Sequence, residues 1–144
     1  MAVREAGQIL PCSQCPVVRV CLPANVEPAQ VPLIEGMVSR QRDLEPGQYL
    51  FRVGEEFSSL FAVRSGCLKS TVLDPDGSEH ILNFHLPGEV LGFAAIYHER
   101  HAGNAIALSA STVCYLSFSD VLRLAQAFPQ LVLGLLRIAS RSAL

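Results

Sequence analysis

Residues 67–85 read CLKSTVLDPDGSEHILNFH, and this stretch decides the fold class of the chain. The DPDG of residues 74–77 has the composition of a tight turn, because proline presets φ at the second position and glycine accepts a positive φ. The runs on either side, Cys67–Leu73 and Glu79–His85, are short and contain β-branched or aromatic residues. The segment therefore predicts a β-hairpin.

Similar short runs, separated by glycines, extend on both sides of this hairpin between residues 43 and 118. The further predicted strands are Tyr49–Val53, Ser59–Arg64, Ala105–Ser109 and Thr112–Phe118. Several short strands between regular turn signals are typical of a β-sandwich or barrel. We therefore predict a mainly β fold with flanking helices.

Helical periodicity is confined to the two ends of this β region. Residues 27–41 predict one helix, because Val31, Ile34 and Met37 fall on one face. A second helix is predicted after Ser119, and residues 129–144 predict a third. This last helix is apolar on more than one side, so we expect it to contact both its own domain and a partner.

The division of the chain follows from these patterns. Residues 1–26 carry three cysteines and show no amphipathic period, so we expect an irregular cysteine-rich segment. Residues 27–128 are expected to form the β domain with its flanking helices, and residues 129–144 the start of a C-terminal helix.

Composition excludes several classes of function. The 144 residues carry 11 Lys and Arg against 13 Asp and Glu, a net charge of −2. This charge does not favour binding to nucleic acid phosphates. Half of the residues are hydrophobic, which excludes disorder. No run reaches the roughly 18 apolar residues of a membrane helix, and no secretion signal is present, so we expect a cytoplasmic protein with reduced thiols.

Three of the five cysteines form the pattern Cys12-x2-Cys15-x5-Cys21. Thiolates prefer zinc, copper(I) or iron–sulfur clusters, and three such sulfurs can fill three positions of a metal centre. The fourth ligand must then come from a distant residue, either Cys67 or Cys114. A structural zinc site and a redox-active CxxC remain alternatives, although zinc ribbons usually contain two CxxC pairs and a redox CxxC usually lies in a βαβ unit.

No other motif indicates chemistry. His80 and His85 lie in one predicted strand at odd spacing and so face opposite sides. His98 and His101 are expected in a solvated loop, without a ligand role. The sequence contains no nucleophile elbow, P-loop or dinucleotide-binding fingerprint, so we predict that the chain is not an enzyme.

From Cys12 onward the chain resembles the sensory domain of the fumarate and nitrate reduction regulator, FNR, in the CRP/FNR family of transcription factors. The motifs that carry the resemblance are the cysteine triplet, EPGQYLF (45–51), LFAVRSG (60–66), NFHLPGEVLGF (83–93) and STVC (111–114). The resemblance implies a β-roll of the cyclic-nucleotide-binding type, or jelly roll, followed by a long dimerisation helix. It also implies an oxygen-labile [4Fe–4S] cluster, with its ligands carried over onto Cys12, Cys15, Cys21 and Cys114.

Two departures from the wider family modify this expectation. Relatives that bind cyclic AMP have an acidic residue after the second glycine of the Gly-Glu-x-x-Gly segment and an arginine further on. In this chain Phe93 occupies the position after the second glycine, and no arginine lies near Asn104. We therefore expect no cyclic nucleotide. The chain ends at Leu144, before the helix-turn-helix domain of the family, so we expect a fragment or a truncated product.

The resulting hypothesis is a sensory domain whose cluster controls homodimerisation through the C-terminal helix. Oxygen would convert the cluster, release its ligands and weaken the dimer. RNA polymerase and promoter DNA are expected as partners only of a full-length family member. A structural zinc-binding module and a cyclic-nucleotide-binding-type interaction module are the alternatives.

Overall fold

The computed structural model describes residues 3–5, 8–17, 21 and 27–142 of the chain. The nine strands in this part are β1 (Val3–Glu5), β2 (Val38–Leu44), β3 (Tyr49–Phe51), β4 (Ser59–Ser65), β5 (Leu68–Leu73), β6 (Glu79–His85), β7 (Val90–Leu91), β8 (Asn104–Ala107) and β9 (Ser111–Ser117). The α-helices are α1 (Val31–Met37), α2 (Phe118–Ala127) and α3 (Pro129–Ser142). Single 3-10 turns occupy Cys12–Gln14, Pro28–Gln30 and Phe93–Ala95.

The strands form two antiparallel sheets that pack face to face as a β-roll. The first has the order β1-β2-β9-β4-β7, and the second has the order β3-β8-β5-β6. The predicted hairpin is the β5–β6 pair, in which the Gly77 amide donates to the Asp74 carbonyl at 2.9 Å. Gly77 has φ of +88°, as the predicted turn requires.

Two apolar cores share the five-stranded sheet, one on each of its faces. Phe61 and Val63 of β4 point into the core between the sheets, whereas Leu60 and Ala62 point toward the helices. Because successive side chains of a strand alternate between faces, β4 is buried on both. Strand β9 lies beside β4 and alternates in the same way, with Val113 between the sheets and Leu116 on the helical side.

The C-terminal helix has the two apolar sides that its sequence predicts. Leu131 and Ile138 are buried in the core on the helical face of the sheet. Leu133 and Leu136 point outward and are 47% and 60% exposed. Within the described residues, no helix combines the length and the apolar character that crossing a membrane requires.

The six predicted strands are confirmed, with their ends within two residues of the expected positions. The helix predicted over residues 27–41 is wrong in its second half, because α1 ends at Met37 and residues 38–44 form β2. Gly36 lies next to the C-terminal end of α1 and weakens the helix there, and β9 offers β2 backbone partners from Val38 to Leu44 with one irregularity near Val38. Within the N-terminal segment expected to be irregular, the described residues Val3–Glu5 form β1, which pairs with the edge of β2.

Candidate functional site

The first two cysteines of the triplet are presented by a single tight turn. The amide of Cys15 donates to the carbonyl of Cys12 at 3.0 Å, which closes the 3-10 turn over Cys12–Gln14. From α1, the Glu35 carboxylate accepts the Ser13 amide at 2.9 Å and so fixes the turn against the helix. The third cysteine is held by its own amide, which donates to the Val17 carbonyl at 3.0 Å.

Cys114 lies far away in the sequence, in the middle of β9. Its neighbours across the sheet are Gln41 of β2 and Ala62 of β4. Like Leu116, it points to the helical face of the sheet, where it packs against the same core as Cys12 and Cys21. The alternation of β9 therefore turns Cys114 toward the N-terminal segment.

All four predicted ligands line one cavity between the N-terminal segment and the sheet. The cysteines are Cys12, Cys15, Cys21 and Cys114, and the rest of the lining is mostly apolar, with Gln41 and Arg64 as its polar members. The cavity is about 30 Å³, room for about two water molecules. A larger occupant therefore requires the cysteine-bearing segment to move away from the sheet.

Two thiols of this site, those of Cys12 and Cys114, are held in the protonated form by their surroundings. Burial, together with the nearby Cys114 and Cys21, raises the pKa of Cys12 to about 12. Burial also raises the pKa of Cys114, against the opposing effects of the Gln41 hydrogen bond and of Arg64. Thiolates in such a place need a positively charged centre to compensate them, which is the role of a metal.

The donor set of four thiolates is one that soft metal centres prefer. Four sulfurs at a Zn–S distance of about 2.3 Å must lie about 3.8 Å from one another around one zinc. Among the described residues, no group of three or more histidine, cysteine, aspartate or glutamate side chains is arranged to hold one metal ion. Soft thiolates around one apolar cavity fit an iron–sulfur cluster, in which each sulfur binds a different iron.

Cys67 lies outside this site. Its amide donates to the Ser111 hydroxyl at 3.1 Å, and its thiol points to the Leu68 carbonyl at 3.7 Å. It does not line the cavity that contains the other four cysteines. Of the two residues that sequence reasoning left open as the fourth ligand, the structure brings Cys114 to the triplet.

Sequence reasoning missed the polar side chains next to the cysteines. Gln41 is 1% exposed, and its amide Nε2 donates to the Cys114 sulfur at 3.4 Å. Glu35 holds the cysteine turn as described above, and Arg64 closes the cavity from β4. No signal in the sequence pointed to Gln41, because the stretch around it was predicted to be helical.

The histidines do not approach the cysteines. His80 contacts Asp74 in the exposed hairpin turn, and His85 is buried and bonded to Ser70 on the other side of the strand. The expectation of a solvated His101 is wrong, because this ring is 5% exposed and stacks on Phe51 at 3.7 Å between ring centres. Burial lowers the pKa of both His85 and His101, so both rings are neutral at pH 7.

A second cavity of about 310 Å³ opens in the β-roll. It is lined by Phe93, where cyclic AMP-binding relatives have an acidic residue, and by Asn104, near which the sequence has no arginine. None of the described residues in its lining is a lysine or an arginine. A cyclic phosphate placed there would meet no lysine or arginine in this lining, and the absence of cyclic nucleotide binding stays a prediction.

Comparison with known proteins gives a consistent result. Residues 41–128 match the family described as "Cyclic nucleotide-binding domain". The chain is 38% identical over 130 residues to the transcriptional activator protein Anr of Pseudomonas protegens, covering 90% of this chain and 53% of Anr. It is 32% identical over 138 residues to the fumarate and nitrate reduction regulatory protein of Escherichia coli, covering 96% of this chain and 55% of that protein. The chain thus spans about half the length of the curated relatives that it matches.

Solved structures share the fold. The sensor domain of the transcriptional regulator DNR from Pseudomonas aeruginosa aligns with a TM-score of 0.73 and 26% identity, over 87% of this chain and 85% of that one. The catabolite activator protein of Thermus thermophilus aligns with a TM-score of 0.74 and 24% identity, over 83% of this chain and 56% of that one. At that identity the second similarity concerns the fold alone.

Proposed function

The chain belongs to the cyclic nucleotide-binding domain family, and we propose that within this family it is the sensory part of a regulator of the fumarate and nitrate reduction type. In this proposal Cys12, Cys15, Cys21 and Cys114 hold a [4Fe–4S] cluster. The observation that supports it most directly is the meeting of all four sulfurs at one cavity, although Cys114 lies 93 positions beyond Cys21 (114 − 21). The kinship with Anr and related regulators points in the same direction.

When bound, the cluster would supply an iron–thiolate bond to each of the four cysteines. The chain supplies the positions of the ligands. The turn over Cys12–Gln14 presents two sulfurs, Glu35 fixes this turn to α1, and the alternation of β9 directs the fourth sulfur toward them. Binding therefore links the N-terminal segment to the centre of the five-stranded sheet.

The core on the helical face connects this link to the C-terminal helix. Ile34 of α1 lines the cysteine cavity and, on its other side, packs with Leu131 of α3. The side-chain Nε2 of Gln30 donates to the side-chain oxygen of Gln130 at 3.0 Å, so the beginnings of α1 and α3 are also joined. A movement of the cysteine segment thus reaches α3 through one intervening helix.

The outward face of α3 is the surface on which this movement acts. Val132, Leu133 and Leu136 are between 41% and 60% exposed, which is unusual for large apolar side chains on one helix face. A second copy of the helix would cover them. We expect the cluster-loaded chain to dimerise through α3 and the cluster-free chain to do so less tightly.

Reconstitution under anaerobic conditions tests the proposal. Protein treated with iron and sulfide without oxygen should contain about four irons and four sulfides per chain and show a broad cluster absorption. Air should bleach this absorption and shift the protein toward monomer in sedimentation velocity. A colourless, air-stable protein that contains zinc would instead identify a structural zinc site, and a protein without metal would refute both.

A further inference from the structure

Gln41 donates a hydrogen bond to the Cys114 sulfur, and the proposed ligand set gives this contact no role. The residue lies in β2 directly opposite Cys114 and is 1% exposed. We infer that Gln41, held in place by Arg4 and Arg64, is a positioning residue that sets the reduction potential of the cluster through its hydrogen bond to the Cys114 sulfur. This inference rests on the proposed function and concerns the regulation of the same site.

Three donors fix the orientation of the Gln41 amide. Its oxygen Oε1 accepts from Arg4 Nη1 at 3.0 Å, from Arg64 Nη1 at 3.3 Å and from the Leu10 amide at 3.4 Å. Guanidinium and backbone N–H groups only donate, so the oxygen must face them. The Nε2 group is consequently the end that faces Cys114, where it donates to the sulfur at 3.4 Å.

The arginine at the N-terminus is itself anchored. Arg4 Nη2 contacts both carboxylate oxygens of Asp43, at 2.8 and 2.6 Å. Asp43 in turn accepts from the Thr112 hydroxyl at 2.8 Å, two residues before Cys114 on β9. Arg4 thus uses Nη2 for Asp43 and Nη1 for Gln41, and the two contacts together limit the rotation of its guanidinium group. The chain Thr112, Asp43, Arg4 and Gln41 therefore holds the amide rigidly against the sulfur.

The direction of the effect on the cluster follows from charge. A hydrogen bond to a ligand sulfur stabilises the reduced cluster, because the reduced state carries more negative charge. Positive charge near the sulfur acts in the same direction. The couple concerned is the one-electron reduction of [4Fe–4S]²⁺ to [4Fe–4S]⁺, in which no bond is made or broken. Gln41 donates to the sulfur and brings two guanidinium groups close to it, so it should raise the potential of this couple.

Potentiometric titration of reconstituted protein tests this role, with dithionite as the source of the electron. Gln41→Met keeps the length of the side chain but removes its donor. Loss of one hydrogen bond should make reduction of the cluster about fivefold less favourable. For a one-electron couple this lowers the reduction potential by about 40 mV. Gln41→Glu should lower the potential further, because its carboxylate adds a negative charge. Gln48→Met is the matched control, since Gln48 caps the distant turn at Glu45 and should leave the potential unchanged.

A merely structural role would lower the amount of cluster without moving the potential of the cluster that forms. An unchanged potential in Gln41→Met and Gln41→Glu would therefore overturn the inference, while the wild-type cluster would leave the proposed function intact. Arg64→Met decides the question if the Gln41 variants do not assemble a cluster, and it should lower the potential by a smaller amount. A wild-type protein that assembles no cluster would remove the proposed function and this inference with it.

Discussion

Replacing Cys114 by serine separates cluster binding from folding. Serine occupies similar space, and its hydroxyl can accept the hydrogen bond that Gln41 Nε2 now donates to the sulfur. Burying a bonded hydroxyl in place of a thiol should lower the stability of the cluster-free protein by only about 1 kcal/mol. The cluster, in contrast, loses the only one of its proposed ligands that belongs to the sheet.

The size of the expected difference follows from the separation of Cys21 and Cys114, which are 93 positions apart (114 − 21). In an unfolded chain, bringing together residues separated by this length costs about 4.6 kcal/mol of chain entropy at 25 °C. The folded chain already holds Cys114 beside the other three cysteines, so the cluster should bind the folded state more tightly by about this amount. For a domain of this size the difference corresponds to a rise in Tm of about 15 °C.

Thermal unfolding followed by circular dichroism without oxygen measures this difference. Wild-type protein should gain about 15 °C in Tm on treatment with iron and sulfide, and Cys114→Ser should gain almost nothing. Cys67→Ser is the matched control and should behave like the wild type, because Cys67 lies outside the cavity. An equal gain in Cys114→Ser, or a loss of the gain in Cys67→Ser, would refute the assignment of the fourth ligand.

The remaining predictions concern the backbone, the pH dependence and the dimer. Gly66→Ala should lower the free energy of unfolding by about 3 kcal/mol in urea titration, because φ is +85° and the new Cβ would lie 2.1 Å from Ser111 Oγ. Gly77→Ala, where φ is +88° and space is open, should cost only about 1 kcal/mol. Between pH 7.5 and 5.5 the wild type should lose up to about 1 kcal/mol more stability than His101→Phe. Leu136→Glu should weaken dimerisation of the cluster-loaded chain about tenfold in sedimentation equilibrium, without changing its absorption.

The pH prediction depends on the sign of the shift. Burial lowers the pKa of His101 in the folded state, so the unfolded chain takes up the proton first as the pH falls. The contribution of His101 is therefore complete above about pH 6.5 and decreases below it. Equal pH profiles for wild type and variant would contradict this reasoning. Equal costs of unfolding for the two glycine variants would contradict the backbone prediction. Loss of the cluster absorption in Leu136→Glu would contradict the dimer prediction.

The sequence predicted those parts of the fold whose local signals agree with their tertiary surroundings. The DPDG turn and its two flanking runs combine turn chemistry with strand propensity, and they form β5 and β6 as expected. Strand β2 was mistaken for helix because Val38 continues the apolar spacing of α1, while the rest of VSRQRDL is largely polar. Its strand conformation depends on pairing with β9, which is more than 65 residues away and leaves no local trace.

The candidate site shows the same limit. The spacing of the cysteine triplet indicated a metal centre, and the family resemblance supplied Cys114, which the structure brings to the same cavity. Gln41 could not be found in this way, because its importance comes from its position opposite Cys114 in the β2–β9 register. His101 was placed in solvent for a similar reason, since its burial results from stacking on the distant Phe51.

The two-sided packing of the five-stranded sheet allows the proposed cluster to change the helical layer while the rest of the fold is retained. Cys12, Cys21 and Cys114 pack against the core on the helical face, which also contains Leu131 and Ile138 of α3. The core between the sheets shares none of these residues and is closed by other side chains of the same strands. Because interiors are closely packed, a displacement at the cysteines is passed to α1 and α3 rather than absorbed locally. The β-roll therefore serves as the fixed support, and a gain or loss of the proposed cluster changes mainly the helical layer that carries the exposed face of α3.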